Sequence, residues 1–150
     1  MDSPVKQFLT KVAELPDPHA ALDEIFKQCS VIELAALYYD WRNWWARPEQ
    51  LSPEGDWSSW GGLTGRGWGK TRAMAEFVNQ EVRAGRAFRI AIIAQKEEDC
   101  LKVMVFGGSG LIATSPPWFK ARFFCGMVVW PNGAKAFIYT PEKPDGIYGH

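Results

Sequence analysis

Apolar positions recur at helical spacing through the first third of the chain. Val5, Phe8, Leu9 and Val12 repeat at three and four, which predicts a helix from Ser3 to Glu14 ended by Pro16 and Pro18. A second helix opens near His19, with Ala21, Leu22, Ile25 and Phe26 on one face; His19 itself has no partner nearby and reads as an exposed residue of the first turn. Ser30 followed by Glu33 has the spacing of a capping box. The third helix is expected to run through Ile32, Leu34, Leu37 and Tyr38 toward Trp45, where Arg47-Pro48 stops it. Residues 46–56 are polar and proline-rich, a connector.

The pattern then changes period. Trp57 to Leu63 is expected as a strand, although Gly61 and Gly62 stand where a buried parallel strand carries branched side chains. From Thr71 a helix is predicted on the stripe Met74, Phe77, Val78 and Val82, with Gly85 as its C-terminal cap. Phe88 to Ala94 is the best strand, continuously apolar toward its end. Lys96 to Met104 reads as a short helix, 106–110 as a glycine-rich loop, and Ser115 to Trp118 as a turn. Phe123 to Trp130 and Ala134 to Thr140 flank Pro131-Asn132-Gly133, and Asn-Gly suits the positive φ angles of a hairpin turn. The segment after Pro141 has no periodicity, and the chain carries no internal repeat.

Between the weak strand and its helix lies Thr64-Gly65-Arg66-Gly67-Trp68-Gly69-Lys70-Thr71, and the chemistry concentrates there. Alternating glycines let successive backbone N–H groups turn inward around an anion. Lys70 is placed to reach β- and γ-phosphates and the Thr71 hydroxyl to hold Mg²⁺, as in a phosphate-binding loop ahead of a helix. The full pattern has glycine at the position of Thr64, and Trp68 puts a large ring inside the loop. The competing reading is a glycine-rich turn that caps a helix and attracts anions unspecifically. Strand, loop, helix and strand would together form a βαβ unit.

Hydrolysis asks for more than binding, because a P-loop NTPase holds Mg²⁺ partly through a carboxylate at the tip of an apolar strand. The best strand ends Ile93-Ala94-Gln95, and Tyr139-Thr140 also lacks a carboxylate before Glu142. Ala36 to Asp40 has the local look of an acidic strand but helical periodicity, and it precedes the loop. The acidic strand is therefore expected to be missing. Arg66 stands open between a solvated side chain, an ion-pair partner and a residue that stabilises the transition state.

Composition adds boundaries. With 150 residues, 47% apolar content and a formal net charge of zero, the chain can bury a core and has no global reason to favour nucleic acid or membrane. Three cysteines, Cys29, Cys100 and Cys125, without Cys-x-x-Cys spacing are expected to be buried thiols in a reducing compartment. No signal segment or membrane span is read, so a cytoplasmic location is expected. Eight tryptophans, five of them between Trp41 and Trp60, read as packing rather than as a base-stacking surface.

Several segments together resemble the large subunit of tailed-phage terminases, in the group also seen in gene transfer agents. They are Asp40-Trp-Arg-Asn-Trp-Trp-Ala-Arg-Pro-Glu-Gln50, Gly65-Arg-Gly-Trp-Gly-Lys-Thr-Arg-Ala73, Ala75-Glu-Phe-Val78 and Arg89-Ile-Ala-Ile-Ile93. Gly108-Ser-Gly-Leu111, Ser115-Pro-Pro-Trp118 and Trp130-Pro-Asn-Gly133 continue the series. The resemblance implies an α/β fold, a partial P-loop NTPase core of the ASCE type with a mainly parallel sheet and a C-terminal hairpin over 47–150, after a helical segment over 1–46. It implies an ATPase that drives double-stranded DNA into a procapsid, with ATP and Mg²⁺ as cofactors. Partners would be a small terminase subunit and the portal protein, in a homo-oligomeric ring at the procapsid in the host cytoplasm. It assigns the loop from Thr64 to Thr71 to the nucleotide, Lys70 and Arg66 to catalysis, Thr71 to the metal and Gln50 to adenine recognition. Gly61, Gly62 and Thr64 depart from the family's bulky first strand and glycine-opened loop. The family's acidic strand and nuclease domain would follow His150, so the chain is expected to be a fragment, a truncated product or one piece of a split protein. The alternatives are an inactive remnant serving as an interaction module, and another helicase-like P-loop ATPase.

Overall fold

A computed structural model describes residues 4–141. The first residues of the expected opening helix and the aperiodic segment after Pro141 lie outside them. The chain forms two compact units, one through Leu51 and one from Ser52.

The first unit is helical: α1 (Pro4–Ala13), α2 (Pro18–Gln28), α3 (Val31–Tyr38), a π-helical turn (Trp41–Trp45) and a 3-10 turn (Pro48–Gln50). Its helix starts follow local chemistry. Asp17 accepts the N–H of Ala20 at 2.9 Å with Pro18 in the first helical position, and Ser30 and Glu33 form the expected reciprocal box. His19 is exposed in the first turn of α2, as expected. The third helix is shorter than expected. Asp40 accepts the N–H of Asn43 at 3.2 Å and starts a separate π turn, which its own side chain favours over continuing α3. Trp41 and Ala46 are buried with Val12 of α1, and the Phe26 and Trp44 rings meet at 6.2 Å.

The second unit contains α4 (Lys70–Arg83), β1 (Arg89–Ile93), α5 (Glu97–Asp99) running into a π segment (Cys100–Val105), and α6 (Leu111–Thr114). A 3-10 turn (Pro117–Phe119) leads into β2 (Arg122–Phe124), β3 (Met127–Val129) and β4 (Lys135–Tyr139). The sheet order is β1-β4-β3-β2; β1 and β4 run parallel, while β4–β3 and β3–β2 are antiparallel. One parallel pairing among three makes this a mixed sheet, not the mainly parallel one expected.

Two local causes produce that difference. The segment 57–63 is not a strand: Gly61 and Gly62 contribute no side chain to a sheet, and the Trp57 and Trp60 rings turn onto Phe77 of α4 at 5.9 and 5.6 Å. The loop is therefore fed by irregular backbone, and the βαβ unit lacks its leading strand. The stretch 123–130, read as one strand, folds back at Cys125-Gly126, where φ is 48° and 78°. A two-residue loop with both φ positive is the I′ geometry that matches strand twist, and it adds an antiparallel strand. The same turn leaves Cys125 exposed, against the expectation of a buried thiol; Cys100 is buried and Cys29 half-buried.

The core lies on one face of the sheet. Ala75 and Val82 of α4 and Leu111 of α6 pack with Val128, Ala136, Trp130 and the half-buried Ile90 and Ile92. Below them Asn79 is a buried polar hub. Its Nδ2 donates to the Leu111 carbonyl at 3.1 Å and to Thr114 Oγ1 at 2.8 Å, and its Oδ1 accepts from Trp130 Nε1 at 2.8 Å. Asn132, in the β3–β4 turn, donates through Nδ2 to the Val82 carbonyl at 2.9 Å. The helix behind the loop is thus tied to the sheet by side chains that hydropathy alone passes over.

Candidate functional site

Gly69 is the N-cap of α4 in left-handed conformation, φ 93° and ψ 24°, and Gly67 has φ 82°. A side chain at either would be strained, so these two glycines set the path of the loop. The chain then enters fourteen residues of helix whose first N–H groups have no partner within the helix.

Lys70 bends back over the loop it follows. Its Nζ donates to the Thr64 carbonyl at 2.9 Å, the Gly65 carbonyl at 2.9 Å and Thr64 Oγ1 at 3.3 Å. One ammonium therefore closes the ring of chain from Thr64 to Lys70. Thr64, the departure from the glycine pattern, contributes its hydroxyl to that grip.

Arg66, Gly67, Gly69, Lys70 and Thr71 share one cavity of about 580 Å³. Its other lining residues are ones that the sequence pattern does not join to the loop: Arg72 from the first turn of α4, Lys102 and Val103 from the π segment, and the second glycine loop Gly107, Gly108 and Ser109. The signal that could have joined them is a lysine one turn ahead of Gly-Gly-Ser-Gly, the same pairing of cation and glycines that marks the first loop. Four cationic side chains, Arg66, Lys70, Arg72 and Lys102, line the cavity together with the head of a helix. Such a place favours a multiply charged anion.

The four cations differ in engagement. Arg72 pairs with the buried Glu76 one helical turn on at 2.7 Å, and Lys102 pairs with Glu98 on an exposed surface. Burial pushes the Glu76 carboxyl above its ordinary value, against the pull of Arg72 and Arg83. Arg66 is exposed at the loop's outer turn. Trp68, half-buried, does not line the cavity's described wall.

A second, apolar cavity of about 350 Å³ adjoins through the shared Lys70 and Thr71, and Met74, Ala75, Val78, Ile92, Met104 and Leu111 complete it. Gln50 belongs to the first unit, where it is buried and its Oε1 caps the 3-10 turn by accepting the Arg47 N–H at 3.0 Å.

For a nucleoside triphosphate with Mg²⁺, the residues fit the anion well. Lysine, backbone N–H groups and an open basic cleft are present, and Thr71 brings a hydroxyl to the first turn. Mg²⁺ commonly takes most of its oxygens from phosphate and water. Among the described residues no group of three His, Cys, Asp or Glu side chains could hold a metal ion, and none of their helices is long and apolar enough to cross a membrane. Among the described residues no carboxylate stands at the tip of β1 or β4, which continue as Ala94-Gln95 and Thr140-Pro141. Comparison of the chain with known protein families, with curated proteins and with solved structures returns no match.

Proposed function

We propose that the loop from Thr64 to Thr71 binds the triphosphate of ATP with Mg²⁺, and that the chain is the ATP-binding part of a terminase large subunit. The observation that carries the first half is Lys70: its ammonium spans the loop carbonyls at the head of α4, inside a cleft lined by three further cations. The second half rests on the segments from Asp40 to Gly133 that resemble that family. In this reading Lys70 and the backbone at Gly67 and Gly69 hold phosphate oxygens, and Thr71 joins the Mg²⁺ shell. Arg66 would bring its charge to the γ-phosphate. The motor would work on double-stranded DNA as a ring at a portal, with a small terminase subunit, in the host cytoplasm.

Irregular backbone in place of the leading strand, and strand tips without carboxylates, favour a second reading for the chain alone: nucleotide binding without turnover, as an interaction module.

Titration of the chain with a fluorescent ATP analogue and Mg²⁺ tests the first reading. Lys70→Ala removes a charge-assisted hydrogen bond worth about 1.5–3 kcal/mol, so affinity should fall by about 10- to 100-fold. No binding by the parent, or an unchanged variant, refutes the nucleotide role. Phosphate release measured with the same protein separates the two readings: steady release supports a motor core, and binding without release supports the module.

A further inference from the structure

The sheet has a second face, and it is built differently from the one that packs on α4. Side chains alternate along a strand, and residues in register on neighbouring strands share a face. Ile90 and Ile92 point into the core with Ala136, Ile138 and Val128. The alternate set is Arg89, Ala91 and Ile93 on β1, Lys135, Phe137 and Tyr139 on β4, Met127 and Val129 on β3, and Arg122 and Phe124 on β2.

These residues fall into rows across the strands. The register Arg89↔Lys135↔Val129↔Arg122 places three cations in one row. Three strand steps of about 4.8 Å give that row a length of about 14 Å. The next row, Ala91, Phe137, Met127 and Phe124, carries two aromatic rings and no charge. No acidic residue occurs in this set, although the chain as a whole is neutral. Arg89, Lys135 and Arg122 are exposed, and so are Ile93 at 68% and Phe124 at 65%.

The face is not flat. Phe88, Arg89, Gly133, Lys135 and Phe137 enclose a pocket of about 400 Å³, and the Arg89 guanidinium lies over the Phe137 ring at 5.6 Å from its centroid. A hollow walled by two cations and two rings can take a planar group against the aromatic or guanidinium surface while an attached anion meets the lysine.

The geometry points to a single-stranded nucleic acid as the ligand of this face, its phosphates along Arg89, Lys135 and Arg122 and its bases on Phe137, Phe124 and the pocket beside Arg89. Rings have no use to a duplex, whose bases are stacked inside it, whereas unpaired bases stack on exposed aromatic side chains in any sequence. A lipid surface would meet the cations but has no planar group to fill the pocket. The loop at the head of α4 belongs to the helix on the opposite side of the sheet, so this site stands independently of the ATP reading.

The test is fluorescence anisotropy with labelled oligothymidylate and oligouridylate of about twelve nucleotides, within the span one small domain covers, on the full chain without nucleotide. Binding of either probe, and tighter than of a duplex of equal length, is expected; the two probes tell DNA from RNA. Arg89→Ala and Lys135→Ala should each weaken binding and lower the salt slope by about 0.7 for every phosphate left without its cation. Phe124→Ala should weaken it about tenfold at an unchanged salt slope. All three sites are exposed, so far-UV spectra should stay at parent values, and affinity for the ATP analogue should stay unchanged. Several results overturn the inference: no binding by the parent, duplex bound as tightly as single strand, or affinity indifferent to all three substitutions. Binding to phosphatidylserine vesicles in place of oligonucleotide, abolished in the same variants, overturns it in favour of a membrane surface.

Discussion

Asn79→Ala is the sharpest test of how the loop-bearing helix is held. Asn79 sits on the inner face of α4 and joins it to α6, through Leu111 and Thr114, and to the end of β3, through Trp130. Alanine removes three hydrogen bonds at about 1 kcal/mol each and leaves the buried Trp130 Nε1–H without its acceptor. The sum is about 3–5 kcal/mol, a large share of the about 5–15 kcal/mol that holds a typical domain together. With a urea dependence of about 2 kcal/mol per molar, the midpoint should fall by about 2 M at unchanged slope. Amide exchange on α4 should rise in parallel. Trp130→Phe is the milder companion: it keeps an aromatic ring, removes the donor and should cost about 1 kcal/mol. A loss below about 0.5 kcal/mol in both variants would refute the view that this polar hub, rather than the apolar stripe alone, fixes the helix.

Two further outcomes follow from local chemistry. Cys125 has φ 48°, a conformation that asparagine adopts more readily than cysteine, so Cys125→Asn should stabilise the β2–β3 turn by about 1 kcal/mol, read from the same denaturation curve. The Ser30 backbone N–H and hydroxyl hold the Glu33 carboxyl below its ordinary value. Because the folded value is the lower one, the contribution is complete above the ordinary value of 4.5 and is lost as pH falls through the folded value. Helical ellipticity of the first unit should therefore drop on acidification through that window; Glu33→Gln should remove this pH-dependent part, Ser30→Ala, which keeps the backbone N–H, should only reduce it, and a drop of equal size in Glu33→Gln would count against the box.

What the sequence revealed divides along the range of the interactions involved. Helix ends rest on groups close in sequence to the backbone they cap, and Ser30 and Gly85 stand where spacing put them. Of the loop, the backbone was legible: Gly67 and Gly69 take the positive φ that their place ahead of α4 suggested. The fate of 57–63 was not. Two tryptophans can face a sheet or a helix, and Phe77, which decides it, is seventeen residues beyond Trp60. Gly126 inside an apolar run is a turn signal that the continuous hydrophobicity around it hides. Asn79 gives no local sign of its role because its partner Trp130 comes from a remote part of the chain, and Lys102, although close in sequence to Gly107 and Gly108, shares its cavity with a first loop about thirty residues earlier. The burial of Gln50 is hidden for the opposite reason: its partner, the Arg47 N–H, is local, but a connector gives no hint of a packed turn.

Lys70 also has a kinetic side. With its ammonium already seated on the Thr64 and Gly65 carbonyls, the loop is held in one shape by its own lysine. In the proposed reading an arriving phosphate would meet an exposed lysine whose direction is already set and which has only to exchange one set of oxygen acceptors for another. Association would then be a substitution at nitrogen's hydrogen-bond shell rather than the folding of a slack loop around a charge. The carbonyls released in that exchange would be free to turn outward, so occupancy of the loop would be written into the backbone at Thr64 and Gly65, directly beside the tryptophan-lined approach that leads into it.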